Sequence, residues 1–366
     1  MIQQKKYFKI LEKFLNSSLQ SHSDLHIYFP HSKINPIVAL SLGSALKKCT
    51  NLSNLILVVC FNEIGAEGAS ELGSSLAKCN NLSNFSLDIR HNKLGAKGAL
   101  DLGSALANCI NLSNLTLDIG GNQIQDEGVS GLSAELAKCS KLSNLKLYLD
   151  DNQIGATGAS GLGSALAKCT NLQNLELQLD YNIIGDEGAS SLSFFLKKLA
   201  NLSNLTLNII NNKIGNEGVS GLGFALTNCS KLSHFILNFS YNQIGGIGVQ
   251  NLVSALAKCS NLSNLSLNFI SNQIGDEGIS NLGSALINCI NLQNLTLNLE
   301  QKYSNQIGDE GISGLSSALI NSINLQNLTL SLDENQIGAI GASNLGSGLA
   351  NCTSLQNLEL YLEQKS

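Results

Sequence analysis

The sequence predicts an α/β solenoid. Strand–turn–helix units stack in a curved, right-handed coil, with a parallel sheet on the concave face and helices on the convex face. Three observations predict it. The stretch Asn261–Cys289 returns nearly unchanged, so that Asn62, Asn92, Asn122, Asn152, Asn182, Asn212, Asn242 and Asn272 fall every 30 residues, followed by Asn305 and Asn335. Within that stretch Leu265, Leu267 and Phe269 alternate, the pattern of a strand with one buried face. Ile279, Leu282, Ala285, Leu286 and Cys289 then recur on one side of a helix. The leucine side of each strand needs a cover, and the following helix supplies it. Packed helices sit about 10 Å apart and strands about 4.8 Å, so the sheet takes the inner radius.

The repeated text LxxLxLxL–xx–NxIGxxGxxxLxxxLxxC resembles the leucine-rich repeat. Its glycine-rich turn and long helical half resemble the ribonuclease-inhibitor-like class, in a variant 30-residue form. Asn272 lies five residues after Leu267, two more than the usual segment, so the strand half is longer. The resemblance covers roughly residues 22–363. It implies a fold and leaves function open, because such frames present many unrelated surfaces.

In chain order, residues 1–20 read as an N-terminal capping helix, with Tyr7, Phe8, Ile10, Leu11, Phe14 and Leu15 as its apolar side. Residues 21–366 read as a single solenoid of about eleven strand–helix units and a terminal strand. The first strand is Leu25–Phe29, and Pro36 stands where a helix can begin. An insertion near Gln301-Lys302-Tyr303 lengthens one step of the asparagine column to 33. The turn asparagine is expected to bond backbone groups. The glycine column from Gly65 to Gly338 is expected to serve backbone angles or close approach, with Gln125 breaking it. The last strand carries Leu358, Leu360 and Leu362. Its edge, blunted by Glu363 and Lys365, is a place for weak edge-to-edge self-association.

Charged residues make up 13% of the chain, against about 25% in an average protein. The net charge is −5 and Arg90 is the single arginine, so no nucleic-acid partner is expected. Cys49, Cys79, Cys109, Cys139, Cys169, Cys229, Cys259, Cys289 and Cys352 share one repeat position, where Leu199 and Ser322 also occur. A small buried filler suits that position, and free thiols suit a cytoplasmic or other reducing intracellular compartment. Cys60 is off the column and is expected to face solvent. Met1–Phe14 lacks the continuous apolar core of a secretory signal, and no run reaches membrane-spanning length. The five histidines form no ligand motif, and Gly275-Asp-Glu-Gly278 lacks the Lys-Ser/Thr pair of a phosphate loop. No catalytic residue, cofactor or metal is expected.

These readings point to a non-catalytic protein–protein interaction scaffold that uses its concave sheet face. The preferred patch is Asp150, Asp151, Asp180 and Tyr181, with Tyr148 and Glu176 nearby and Tyr241 extending it. Aromatic groups there anchor, and carboxylates select a basic partner protein. Phe194 and Phe224 stand at one outward helix position of successive repeats and offer a convex spot, while Phe195 is expected to fill a gap between repeats. Two alternatives stand beside this. Ribonuclease-inhibitor-like repeats also occur in activators of a small nuclear-transport GTPase, which would make Arg90 the only candidate arginine, although the acidic tail common there is absent. The other is a structural component of a large intracellular assembly.

Overall fold

The computed structural model describes residues 5–301 and 305–363, in two compact units, Met1–Asn182 and Ile183–Ser366. Lys302, Tyr303 and Lys365, named above for the insertion and the edge, lie outside the described residues.

The first unit opens with β1 (Lys6–Phe8), α1 (Leu11–Leu15) and a 3-10 turn at Leu19–Ser21. Strands and helices then alternate: β2 (Asp24–Tyr28), α2 (Pro36–Leu46), β3 (Asn54–Val58), α3 (Gly65–Leu76), β4 (Asn84–Asp88), α4 (Gly95–Ala107), β5 (Asn114–Asp118), α5 (Gln125–Leu136), β6 (Asn144–Tyr148), α6 (Ala156–Leu166) and β7 (Asn174–Gln178). All strands pair in parallel and in chain order, repeat position against repeat position, as in Asn54 opposite Asn84 and Leu55 opposite Phe85. The second unit follows the same plan. It runs α7 (Gly185–Leu192), β8 (Asn204–Asn208), α8 (Asn216–Leu226), β9 (His234–Asn238), α9 (Gly246–Leu256), β10 (Asn264–Asn268), α10 (Gly275–Leu286), β11 (Asn294–Asn298), α11 (Asp309–Leu319), β12 (Asn327–Ser331), α12 (Ala339–Ala350) and β13 (Asn357–Tyr361). Each unit is a curved solenoid, with a parallel sheet on one face and helices on the other.

The N-terminal segment differs from the expected capping helix. Lys6–Phe8 extends the sheet beside β2, and only Leu11–Leu15 is α-helical. The bare edge of β2 has backbone groups that a strand can satisfy and a helix cannot. Phe14 closes the core behind it, packed against Phe8 at 5.4 Å and His22 at 6.4 Å between ring centroids.

The core follows the repeat. Leu265, Leu267, Phe269, Ile279, Leu282, Ala285, Leu286 and Cys289 are all buried. Phe195 is buried too, where most repeats carry a small residue such as Ala165 or Ala225. Its ring is accommodated by a tighter backbone: α7 stops at Leu192 and the chain continues as a 3-10 helix over Ser193–Lys197. Cys60 departs from expectation. It is buried rather than solvent-facing, and its thiol lies against Asp88. In the cysteine column the thiols also donate to carbonyls at the helix end of the preceding repeat, as Cys109 does to Leu76 and Cys229 to Leu196. Such a carbonyl also accepts the N–H three residues on, as Leu76 does from Cys79, so the thiol is a second donor to it.

The turn asparagines form a buried ladder. Asn122 accepts the N–H groups of Asn92 and Leu94 from the preceding repeat. Its amide donates to the carbonyls of Ile89, Ile119 and Gly120. Asn62, Asn152, Asn242 and Asn272 bond in the same manner.

The glycine column splits in two, and the sequence one repeat earlier decides which way. Asp126, Asp186, Asn216, Asp276 and Asp309 accept the N–H of Gly155, Gly215, Gly245, Gly308 and Gly338 at 2.6–2.8 Å. Those glycines are extended, and each caps the start of a helix. Where the earlier repeat offers Pro36, Ala66, Ala96, Ala156 or Gly246, no such acceptor exists. Gly65, Gly95, Gln125, Gly185 and Gly275 then turn left-handed, with φ of 57–64°. Their N–H groups donate instead to the backbone carbonyl of a ladder asparagine.

Gln125 therefore holds a conformation that L-residues adopt at a cost of about 1–2 kcal/mol. Gln125→Gly should raise stability by about 0.5–1 kcal/mol in urea denaturation, and Gly95→Gln should lower it by a similar amount. A loss of stability in Gln125→Gly would contradict this account of the turn.

Candidate protein-interaction surface

The sheet face of the first unit begins with a row of amides. Asn84 donates to Asn54, Asn114 to Asn84, Asn144 to Asn114 and Asn174 to Asn144, one strand to the next. Each amide's other N–H is directed to a preceding serine where Ser83, Ser113 and Ser143 stand. Satisfied in this way, the row holds the adjacent varied positions in fixed register.

Beside it lies a mixed cluster. The Tyr148 hydroxyl donates to Glu176 at 2.9 Å, and Lys146 pairs with the other carboxylate oxygen at 2.7 Å. Burial pushes the Glu176 carboxyl up. The hydrogen bonds from Lys146 and Tyr148 and the charge of Lys146 outweigh that, so its pKa lies below the ordinary value. Tyr148 is pushed up, by burial first and then by its bond to Glu176.

Asp150 is half-buried at the strand exit and accepts the Asp180 N–H at 2.9 Å. Burial raises its pKa against that bond. Asp151 and Tyr181 stand in the same column one repeat apart, both left-handed, with Tyr181 60% exposed. The structure thus brings together Tyr148 with Glu176, and Asp150 with Asp180, and sets Asp151 and Tyr181 on the rim. Tyr241 has the equivalent rim position in the second unit. Also in that unit, Phe194 and Phe224 are exposed, and Lys197 lies over both rings, 4.8 Å from the centre of Phe224.

Sequence reasoning missed an ion cluster next to this patch. Arg90 pairs with Asp88 at 2.8 Å and with Asp118 at 2.9 Å. Asp88 and Asp118 share a repeat position and face each other on adjacent strands, and Arg90 is two residues past Asp88. Reading side chains across the 30-residue register, rather than along the chain, exposes the grouping. Burial pushes the Asp118 carboxyl up to about 6, against the opposing pull of the Gly120 N–H and Arg90. The second missed feature is a ring stack on the same rim: His31, Phe61 and His91, each one residue before its ladder position.

Among the described residues, no group of three His, Cys, Asp or Glu side chains is placed to hold a metal ion. No helix among them is long and apolar enough to cross a membrane. All ten cysteines are free and buried, and burial pushes the thiols of Cys49, Cys109 and Cys229 up to about 12. Such thiols are poor nucleophiles at neutral pH.

A family model described as Leucine Rich repeat matches residues 86–103, 111–133, 141–163, 168–193, 201–223, 236–253, 261–283 and 303–316. Among solved structures, internalin C2 of Listeria monocytogenes strain 4b F2365 aligns with 22% identity. That alignment covers 70% of this chain and 90% of the internalin, with a TM-score of 0.43. No curated protein matches the chain. The repeat matches and the strand–helix architecture together define the class: this is a leucine-rich repeat protein, with a fold typical of protein-interaction scaffolds.

Arg90 is the cation that holds Asp118 down. In Arg90→Gln the Asp118 pKa should rise further above about 6. Carboxyl-carbon NMR titration measures this, and an unchanged or lower value would contradict the pairing.

Proposed function

We propose that the chain is a non-catalytic scaffold that docks a basic protein segment on the strand-exit side of its first unit's sheet. One observation carries the reading. Asp150, Asp151, Asp180 and Glu176 gather over two neighbouring repeats with Tyr148 and Tyr181, and Lys146 is the cation paired within that group. Excess carboxylate beside a preformed aromatic edge favours a cationic, partly apolar ligand. The frame under it is already ordered, which lowers the cost of binding.

The glycine-rich turns and long helical halves fit a ribonuclease-inhibitor-like variant of the repeat. The buried free thiols fit a reducing compartment. A GTPase-activating role is disfavoured by the contacts of Arg90, whose guanidinium pairs with two carboxylates of its own chain.

The test is fluorescence anisotropy with a labelled Lys- and Arg-rich peptide. Asp150→Asn, Asp151→Ser and Asp180→Ser combined should preserve the fold and weaken binding by about tenfold or more, roughly 1.4 kcal/mol. Tyr181→Ala should weaken it further. Unchanged affinity in the triple variant would refute the proposed surface.

A further inference from the structure

The strand-exit rim of the first unit carries a second group whose chemistry is opposite to the acidic patch. His31, Phe61 and His91 stack face to face, with centroids 4.7 and 4.6 Å apart and planes tilted by 12° and 22°. The spacing is that of neighbouring strands, about 4.8 Å, so the stack is built into the register of the sheet. Beyond His91 the column continues with Gly121, also left-handed. A side chain there would overlap the His91 ring, so the missing Cβ leaves the space that the ring occupies.

Packing of the core does not account for these rings. Phe61 is 42% exposed, and its φ of 55° is one that bulky residues rarely adopt. The same column elsewhere holds Gly121, Asp151, Asn211 and Ser271, and its other aromatics, Tyr181 and Tyr241, do not stand in successive repeats. Stacking covers the ring faces and leaves the edges open. Two imidazole edges, with N–H groups to donate, flank one apolar edge. Lys33 and Lys93 stand two residues beyond His31 and His91 and line the same open groove, with Glu63 as the single carboxylate. Glu63 meets Lys93 at a loose 3.6 Å, and both side chains are largely exposed. Such a contact adds little and leaves the groove cationic.

We propose that this groove is a second docking surface, and that its occupant is a carboxylate-rich peptide segment of a partner protein. Glutamate and aspartate side chains accept from the imidazole edges and the two lysines, while an aliphatic or aromatic side chain lies on Phe61. The groove spans two strand spacings, roughly 10 Å, which an extended segment covers with about three residues. This inference is independent of the acidic patch: it rests on different residues and a partner of opposite charge.

The test uses the full chain and four labelled probes in anisotropy titrations: a short glutamate-rich peptide with one central tyrosine, its glutamine counterpart, a phosphoserine version and a single-stranded oligonucleotide. The glutamate peptide should bind in preference to the glutamine peptide. Lys33→Gln with Lys93→Gln should weaken it by roughly tenfold. Phe61→Ala and His91→Ser should each weaken it as well, while Lys213→Gln, at the same repeat position in the second unit, should leave it unchanged. Circular dichroism melts establish that each variant is folded. Equal binding of the glutamate and glutamine peptides, wild-type affinity in the double lysine variant, or tighter binding of the phosphoserine peptide or the oligonucleotide would overturn the proposal.

Discussion

Everything else in this fold depends on one buried amide per repeat. A strand that turns into a helix leaves carbonyl and N–H groups inside the turn, where water does not reach them. Asn122 satisfies five such groups at once, two N–H groups from the repeat before it and three carbonyls from its own and that earlier repeat. No other residue type combines two amide donors and a two-lone-pair acceptor at so short a reach. Because each asparagine bonds across the repeat boundary, it sets the register of adjacent units as well as the local turn. The leucine layers then align, and the sheet positions repeat strand by strand.

The second tier of order is the helix start. An aspartate or asparagine in one repeat caps the helix of the next, through Asp276 to Gly308 and Asp309 to Gly338. Where such a cap is present, the second glycine of the GxxG pair makes room for it. A Cβ at Gly311 would lie 2.6 Å from the Asp276 carboxylate oxygen. Asp276, between Gly275 and Gly278, is therefore an internal cap. Stability in each unit is shared between neighbours rather than held within one repeat, as a stacked architecture requires.

Much of this was legible before any coordinates. Alternation in Leu265, Leu267 and Phe269 and the fixed return of Asn272 dictate strand, turn and pairing, because period and repeat are properties of the chain alone. Two things were hidden. The segment around Lys6–Phe8 has apolar residues that serve a helix or a strand equally well, and the free edge of β2 decides between them. The Arg90 cluster and the His31–Phe61–His91 stack join residues of neighbouring repeats, a grouping that no single repeat displays. The candidate surface was read as a set of residues, but its internal pairing was not. That Glu176 is engaged by Tyr148 and Lys146, and Asp150 by the Asp180 N–H, follows from side-chain directions that sequence spacing does not give.

The measurement that bears most directly on this account compares Asn122→Ala with Asn114→Ala. Both remove an asparagine that repeats every 30 residues, but Asn122 is fully buried and Asn114 lies half-exposed on the sheet face. If the buried amide is the constraint on which the fold rests, Asn122→Ala leaves several backbone groups unsatisfied at about 1–3 kcal/mol each and lowers stability by roughly 3–5 kcal/mol in urea denaturation followed by circular dichroism. Asn114→Ala, whose neighbours reach water, should cost no more than about 1 kcal/mol. Equal losses in the two variants, or a small loss in Asn122→Ala, would contradict it.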